Sequence, residues 1–190
     1  DECTIEHSEQ FIDLLETWDV PLFLSGHLHV QHCKRSEDNR GIWEMVTASL
    51  ATPSCKYAIL TYRDDRSFLY RTQSLDVEAW AKKNQCTEED LLNFKQFQTP
   101  FLRRVFYNQA IASLNEVPEL TDSEREQMAQ LYSLLKFHYY QGTAYQVQEP
   151  VRNDPAYELW QEDGMATQQG EYFRYILEDG KRDYNRLEVN

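Results

Sequence analysis

Long apolar runs are missing from this 190-residue chain. None approaches the roughly 20 residues that a helix needs to cross a bilayer, which predicts a soluble stretch with no membrane-spanning segment. Basic residues are scarce: 19 Lys and Arg stand against 32 Asp and Glu, for a formal net charge of −13. A surface of that sign repels phosphate polymers and argues against non-specific nucleic-acid binding. A small phosphoester stays open as a substrate, because a bound metal supplies positive charge locally. Cysteine is sparse as well. Cys3, Cys33, Cys55 and Cys86 stand apart with no CxxC pair, which fits neither a disulfide framework nor a zinc knuckle and predicts reduced, structural thiols. The start at Asp1 has no Met, no basic stretch and no apolar h-region, so any targeting signal is expected to be absent or removed. A fragment suits that opening at least as well as a complete protein. The compartment stays open, with the cytoplasm favoured.

What is present argues for a folded chain: 41% hydrophobic and 13% aromatic residues are enough for a core. From Ile5 to Trp18, Phe11, Leu14, Leu15 and Trp18 recur at helical spacing. After a break at Asp19-Val20-Pro21, Leu22-Phe23-Leu24 forms a short apolar run ending in Ser25-Gly26. Helix, turn and apolar strand make the second half of an α/β unit, whose strand is expected to be buried on both faces. The polar stretch Lys34 to Gly41 predicts a surface loop. Three strands follow, Trp43–Leu50, Tyr57–Arg63 and Phe68–Leu75, the last two joined by a hairpin turn at Asp64-Asp65-Arg66.

At Asp76 the pattern changes from strand to helix. Thr87-Glu88-Glu89-Asp90 offers an N-cap and an acidic first turn, and Leu91, Phe94, Phe97, Phe101 and Val105 continue the helix, with Pro100 expected to kink or split it. Thr121-Asp122-Ser123-Glu124 has the capping-box pattern and leads a second long helix that Gly142 stops. Shorter helices are predicted near Ala156–Gln161 and Gln168–Leu177, with a loose polar tail after Gly180. The chain therefore reads as α+β: an α/β end-piece over residues 1–75, then an all-α module over residues 76–190.

The chemistry lies in Leu24-Ser25-Gly26-His27-Leu28-His29. Two histidines one residue apart sit just past the carboxyl end of a strand, where open α/β sheets place their ligands. Neutral imidazoles at that spacing can serve one metal or two neighbouring metals. Gly26 lets the backbone turn sharply and approach an ion. Spacing alone equally suits a surface loop or a hydrogen-bonded structural pair.

Ser25-Gly26-His27-Leu28-His29 resembles the G-H-x-H motif that closes the signature of calcineurin-like metallophosphoesterases. Glu44-Met45-Val46-Thr47-Ala48-Ser49 and Tyr57-Ala58-Ile59-Leu60-Thr61-Tyr62 resemble the strands that complete the second sheet of that family's sandwich. Bacterial members described as cyclic-nucleotide phosphodiesterases, which append a helical C-terminal domain, are the most similar. The resemblance implies two divalent metals (Mn, Fe or Zn) in the intact parent and a small phosphoester substrate. It implies that His27 binds the second metal and His29 the first. The family's D-x-H, G-D-x-x-D and G-N-H-[DE] motifs do not occur in these residues, so the piece alone is expected to be inactive, with no catalytic residue assigned. His7, within the predicted helix, is a poor substitute for the family's upstream histidine.

Other candidates have ordinary readings beside them. His32 and Cys33 could join His27 and His29 in a zinc site, or His32 could simply be exposed in a loop. His138 reads as a satisfied structural histidine. Tyr132, Tyr139, Tyr140, Tyr145 and Tyr157 could line a nucleotide pocket but more often form core and interface. Glu88-Glu89-Asp90 and Glu162-Asp163 read as helix-end charge and solvated surface. Arg103-Arg104 could reach a phosphate, although neighbours on a helix diverge in direction. The alternative function is an interaction or regulatory module, with helices docking on the catalytic part or forming a homo-oligomer.

Overall fold

The computed structural model describes residues 6–35 and 41–190, and it is mixed α+β. Two compact units divide the chain. The first joins Asp1–Leu75 to Tyr184–Asn190, and the second is Asp76–Asp183. Among the described residues no helix is long and apolar enough to cross a membrane.

The first unit begins with helix α1 (Ser8–Thr17), which leads into β1 (Leu22–Ser25). Strand β3 (Trp43–Val46) lies parallel to β1 and antiparallel to β2 (His32–Arg35), giving the order β1-β3-β2. A second sheet, all antiparallel, has the order β4-β5-β6 from β4 (Lys56–Tyr62), β5 (Phe68–Ser74) and β6 (Arg186–Val189). Residues of both sheets share one small core of Cys33, Met45, Phe68, Tyr70 and Tyr184, with Leu187 and Val189 packed against it.

Four expectations change here. The polar tail is not loose: in Arg186-Leu187-Glu188-Val189 the apolar residues alternate toward the core, and the strand pairs with Phe68–Arg71. Strand β1 is not buried on both faces. It lies at the sheet edge, and Leu24 is 55% exposed. Strand β2 occupies residues expected to be loop, because Cys33 points into the core while Lys34 and Arg35 stay exposed. The third change is matched by a shorter β3, which ends at Val46. The hairpin between β4 and β5 does form, closed by Arg63 N–H on Ser67 O (2.9 Å) and by Ser67 N–H on the Asp65 carboxylate (3.0 Å).

The second unit is helical. Helix α2 (Val77–Lys83) is capped by Asp76, and the short α3 (Glu89–Leu92) precedes α4 (Phe94–Leu114). The break falls at Asn93, and α4 runs through Pro100 without splitting. Pro100 is the seventh residue of α4, so the helix gives up one bond, to Gln96 O, and continues. Helix α5 (Asp122–Tyr140) starts in the expected capping box of Thr121 and Glu124. It ends at Gly142 (φ 71), where the Thr143 N–H reaches back to His138 O (2.8 Å). Arg125 ties the two long helices by donating to Leu114 O and Val117 O at the end of α4.

Helices α6 (Gln148–Arg152), α7 (Ala156–Glu162) and α8 (Gln168–Asp179) close over α5. Trp160 is the centre of this core, stacked on Phe173 at 5.1 Å and donating from Nε1 to Met128 O. Tyr132 is buried beside it, and Tyr139 is buried against Tyr172 and Tyr175. Lys136 is buried too. Its Nζ donates to Gln109 Oε1 and Tyr132 Oη and faces the rings of Phe106, Tyr132, Tyr140 and Tyr172 at 5.0 to 5.9 Å.

Candidate functional site

The carboxyl end of β1 carries the histidine pair. Ser25, its last residue, donates from Oγ to Glu44 Oε1 on β3 (2.6 Å), which fixes the strand end. The chain then reverses abruptly. Leu28 N–H bonds back to Gly26 O (3.0 Å) around His27, whose φ is 77. That is the γ-turn of positive φ, a rare and strained three-residue turn. His29 is also left-handed, with φ 58. Neither histidine is a residue type that adopts positive φ without cost, so the surrounding structure must hold both.

Gln31 does the holding. Its side chain is fully buried and uses both ends of its amide. Nε2 donates to Tyr70 Oη (3.0 Å) and Tyr184 O (2.8 Å), while Oε1 accepts from Ala48 N–H (3.3 Å). Tyr70 Oη in turn lies 3.0 Å from Thr47 Oγ1. Burial pushes the Tyr70 phenol above its ordinary value, so it serves this network as a neutral hydroxyl. The loop is thus pinned two residues beyond His29 to β5 and to the segments that follow β3 and precede β6, while His27, Leu28 and His29 stand exposed. No pattern in the sequence marks Gln31, because its partners come from residues 48, 70 and 184.

The imidazoles of His27 and His29 have no hydrogen-bond partner among the described residues. Exposed imidazole nitrogens are of the donor type that divalent transition metals take. They supply two donors only. Among the described residues no group of three or more His, Cys, Asp or Glu side chains is placed to hold an ion.

The neighbouring candidates separate from the pair. His32 is not exposed in a loop: it opens β2, is buried, and packs its ring on Tyr184 at 4.2 Å. Cys33 points into the core with Sγ 3.5 Å from Tyr184 O. His7 lies just outside α1, at its N-cap with φ 58, rather than within the helix. Cys33, Cys55 and Cys86 are free thiols, and Cys3 lies outside the described residues. In the second unit His138 Nδ1 sits 3.1 Å from Thr143 Oγ1, and burial, with Arg103 nearby, lowers its pKa.

Residues 76–183 match the model of a family described as the C-terminal domain of cyclic nucleotide phosphodiesterase. The matched residues are those of the second compact unit. No curated protein matches the chain.

Proposed function

Since the chain belongs to the family of C-terminal domains of cyclic nucleotide phosphodiesterases, we propose that it is the C-terminal part of a two-metal phosphoesterase acting on a small phosphoester such as a cyclic nucleotide. His27 and His29 each give an imidazole to the metal pair. The observation that carries this reading is the pair itself: two unpartnered imidazoles held at positive φ beyond β1, in the same chain as the family's helical unit. A bound metal pair supplies Lewis acidity and a water of lowered pKa. This chain's part is to orient two of the donors through Gln31 and the γ-turn, as supporting residues do for metal ligands. The remaining ligands would come from residues outside these 190. The chain alone is therefore inactive in this reading.

The test uses the complete protein. His27→Ala and His29→Ala are each expected to cut turnover of a cyclic nucleotide by about 100-fold or more and to lower metal content by elemental analysis. Unchanged turnover in both variants would sink the proposal.

A second reading, an interaction module, is favoured by one observation. Phe101 and Val105, one turn apart on α4, are 46% and 37% exposed. Sedimentation should then show self-association that Phe101→Ser weakens, and a strictly monomeric chain at every concentration argues against it.

A further inference from the structure

Arg103 and Arg104 are sequence neighbours, and successive helical residues point about 100° apart. That divergence does not separate them here. On α4, Thr99, Arg103 and Tyr107 form one row at four-residue spacing, and Pro100, Arg104 and Asn108 form the next. Both rows line a single groove, completed by Gln130 and Ser133 of α5, with a volume of about 510 Å³. Clefts of that size hold small organic ligands.

The two guanidiniums stand out in a chain of net charge −13 because neither has a carboxylate partner among the described residues. Arg103 donates only to neutral oxygens, Ser133 Oγ at 3.2 Å and Gln130 O at 3.4 Å. Arg104 has no hydrogen-bond partner among the described residues. Burial lowers the Arg103 pKa from its ordinary value, as expected of a cation that has lost water without gaining a counter-ion. The rest of the lining is of another kind. Asn108 and Gln130 bring carboxamides and Tyr107 brings a ring. Glu126 holds the wall by accepting from both Tyr107 Oη and Gln130 Nε2.

Two planar cations suit a phosphate dianion. An aromatic ring with two carboxamides suits the face and the edge of a nucleobase. We propose that this groove binds a nucleoside monophosphate, with Arg103 and Arg104 on the phosphate and Tyr107, Asn108 and Gln130 against the nucleoside. The site lies wholly within the second unit and does not use His27 or His29. Only the source of the ligand rests on the function proposed above. Hydrolysis of a cyclic nucleotide breaks one P–O ester bond. Water's hydroxide joins phosphorus, its proton goes to the freed ribose oxygen, and the product is a nucleoside monophosphate.

The test is isothermal titration calorimetry of the 190-residue chain in EDTA with 5′-AMP, 5′-GMP, adenosine and inorganic phosphate. At least one nucleotide should bind at a single site, roughly tenfold or more tighter than adenosine or phosphate alone. Arg104→Gln, at an exposed position where folding should be unaffected, and Arg103→Gln should each weaken it by roughly tenfold. The double variant His27→Ala/His29→Ala should bind as the parent chain does. Absence of binding at millimolar nucleotide overturns the proposal, as does equal affinity for phosphate or for adenosine. An Arg104→Gln variant with unchanged affinity also overturns it. Binding in EDTA reports on the groove and turnover reports on the histidines, so either reading can fail alone.

Discussion

Trp160 and Trp18 show how differently the two units are built. Trp160 is fully buried, stacked on Phe173, beside Tyr132 and hydrogen-bonded to Met128, in a unit whose Leu135, Ile176 and Val151 are fully buried as well. Trp18 ends a helix that buries no residue, and 74% of it is exposed. Leu24 and Leu28, at the end of β1 and between the histidines, are exposed as well. One unit closes its own core. The other leaves apolar surface open at the place where the proposed metal donors stand. The helical unit has the interior of an independent domain.

The contrast can be broken most directly at the buried tryptophan. Trp160→Ala should destabilise the helical unit by about 3–5 kcal/mol, read from urea unfolding by circular dichroism. If the cost is under about 1 kcal/mol, the helical core is not what distinguishes the units. Lys136 sharpens the comparison next. Burial pushes its ammonium down to about 8 from 10.5, against the pull of four ring faces and two oxygen acceptors. Burial also holds the Tyr132, Tyr140 and Tyr172 phenols above their ordinary value, so they stay neutral around it. Between pH 8 and 10.5 the unfolded chain keeps a proton that the folded chain has shed. The Lys136 contribution to stability therefore rises with pH across that window, by about 3 kcal/mol, while the phenols contribute the opposite slope as pH approaches their ordinary value of 10.0. Lys136→Met should flatten the rise in unfolding titrations at several pH values. The smallest effect belongs to Trp18→Ser, which should change stability by less than about 0.5 kcal/mol. A larger loss would mean that the exposed face of α1 is covered in solution.

Much of the helical unit was legible because its signals are local. The Thr121–Glu124 box and the Gly142 stop use only neighbouring residues, and both formed as expected. The break at Asn93 was less visible: Pro100 is the stronger breaker in sequence, yet α4 runs through it with one intrahelical bond fewer. In the sheets the signals that failed were non-local. His32–Arg35 is too polar to read as a strand until β3 is placed beside it. Leu187 and Val189 alternate as a strand should, yet only the core formed by β4 and β5 makes that alternation count. The histidine pair itself was legible from Ser25-Gly26-His27-Leu28-His29. Its support was not, because Gln31 is satisfied by groups scattered from Ala48 to Tyr184. The Arg103 and Arg104 groove needed α5 beside α4.

The bond from Gln31 to Tyr184 O joins residues 153 apart in sequence, across the whole helical unit. Contacts of such long sequence separation form slowly, because loop closure must precede them. On the ribosome the helical unit can be complete before Tyr184 and β6 emerge, since chains fold as they are synthesised from the N-terminus. The loop carrying His27 and His29 would then acquire this clamp later than the helical unit acquires its core, once Tyr184 has joined Gln31.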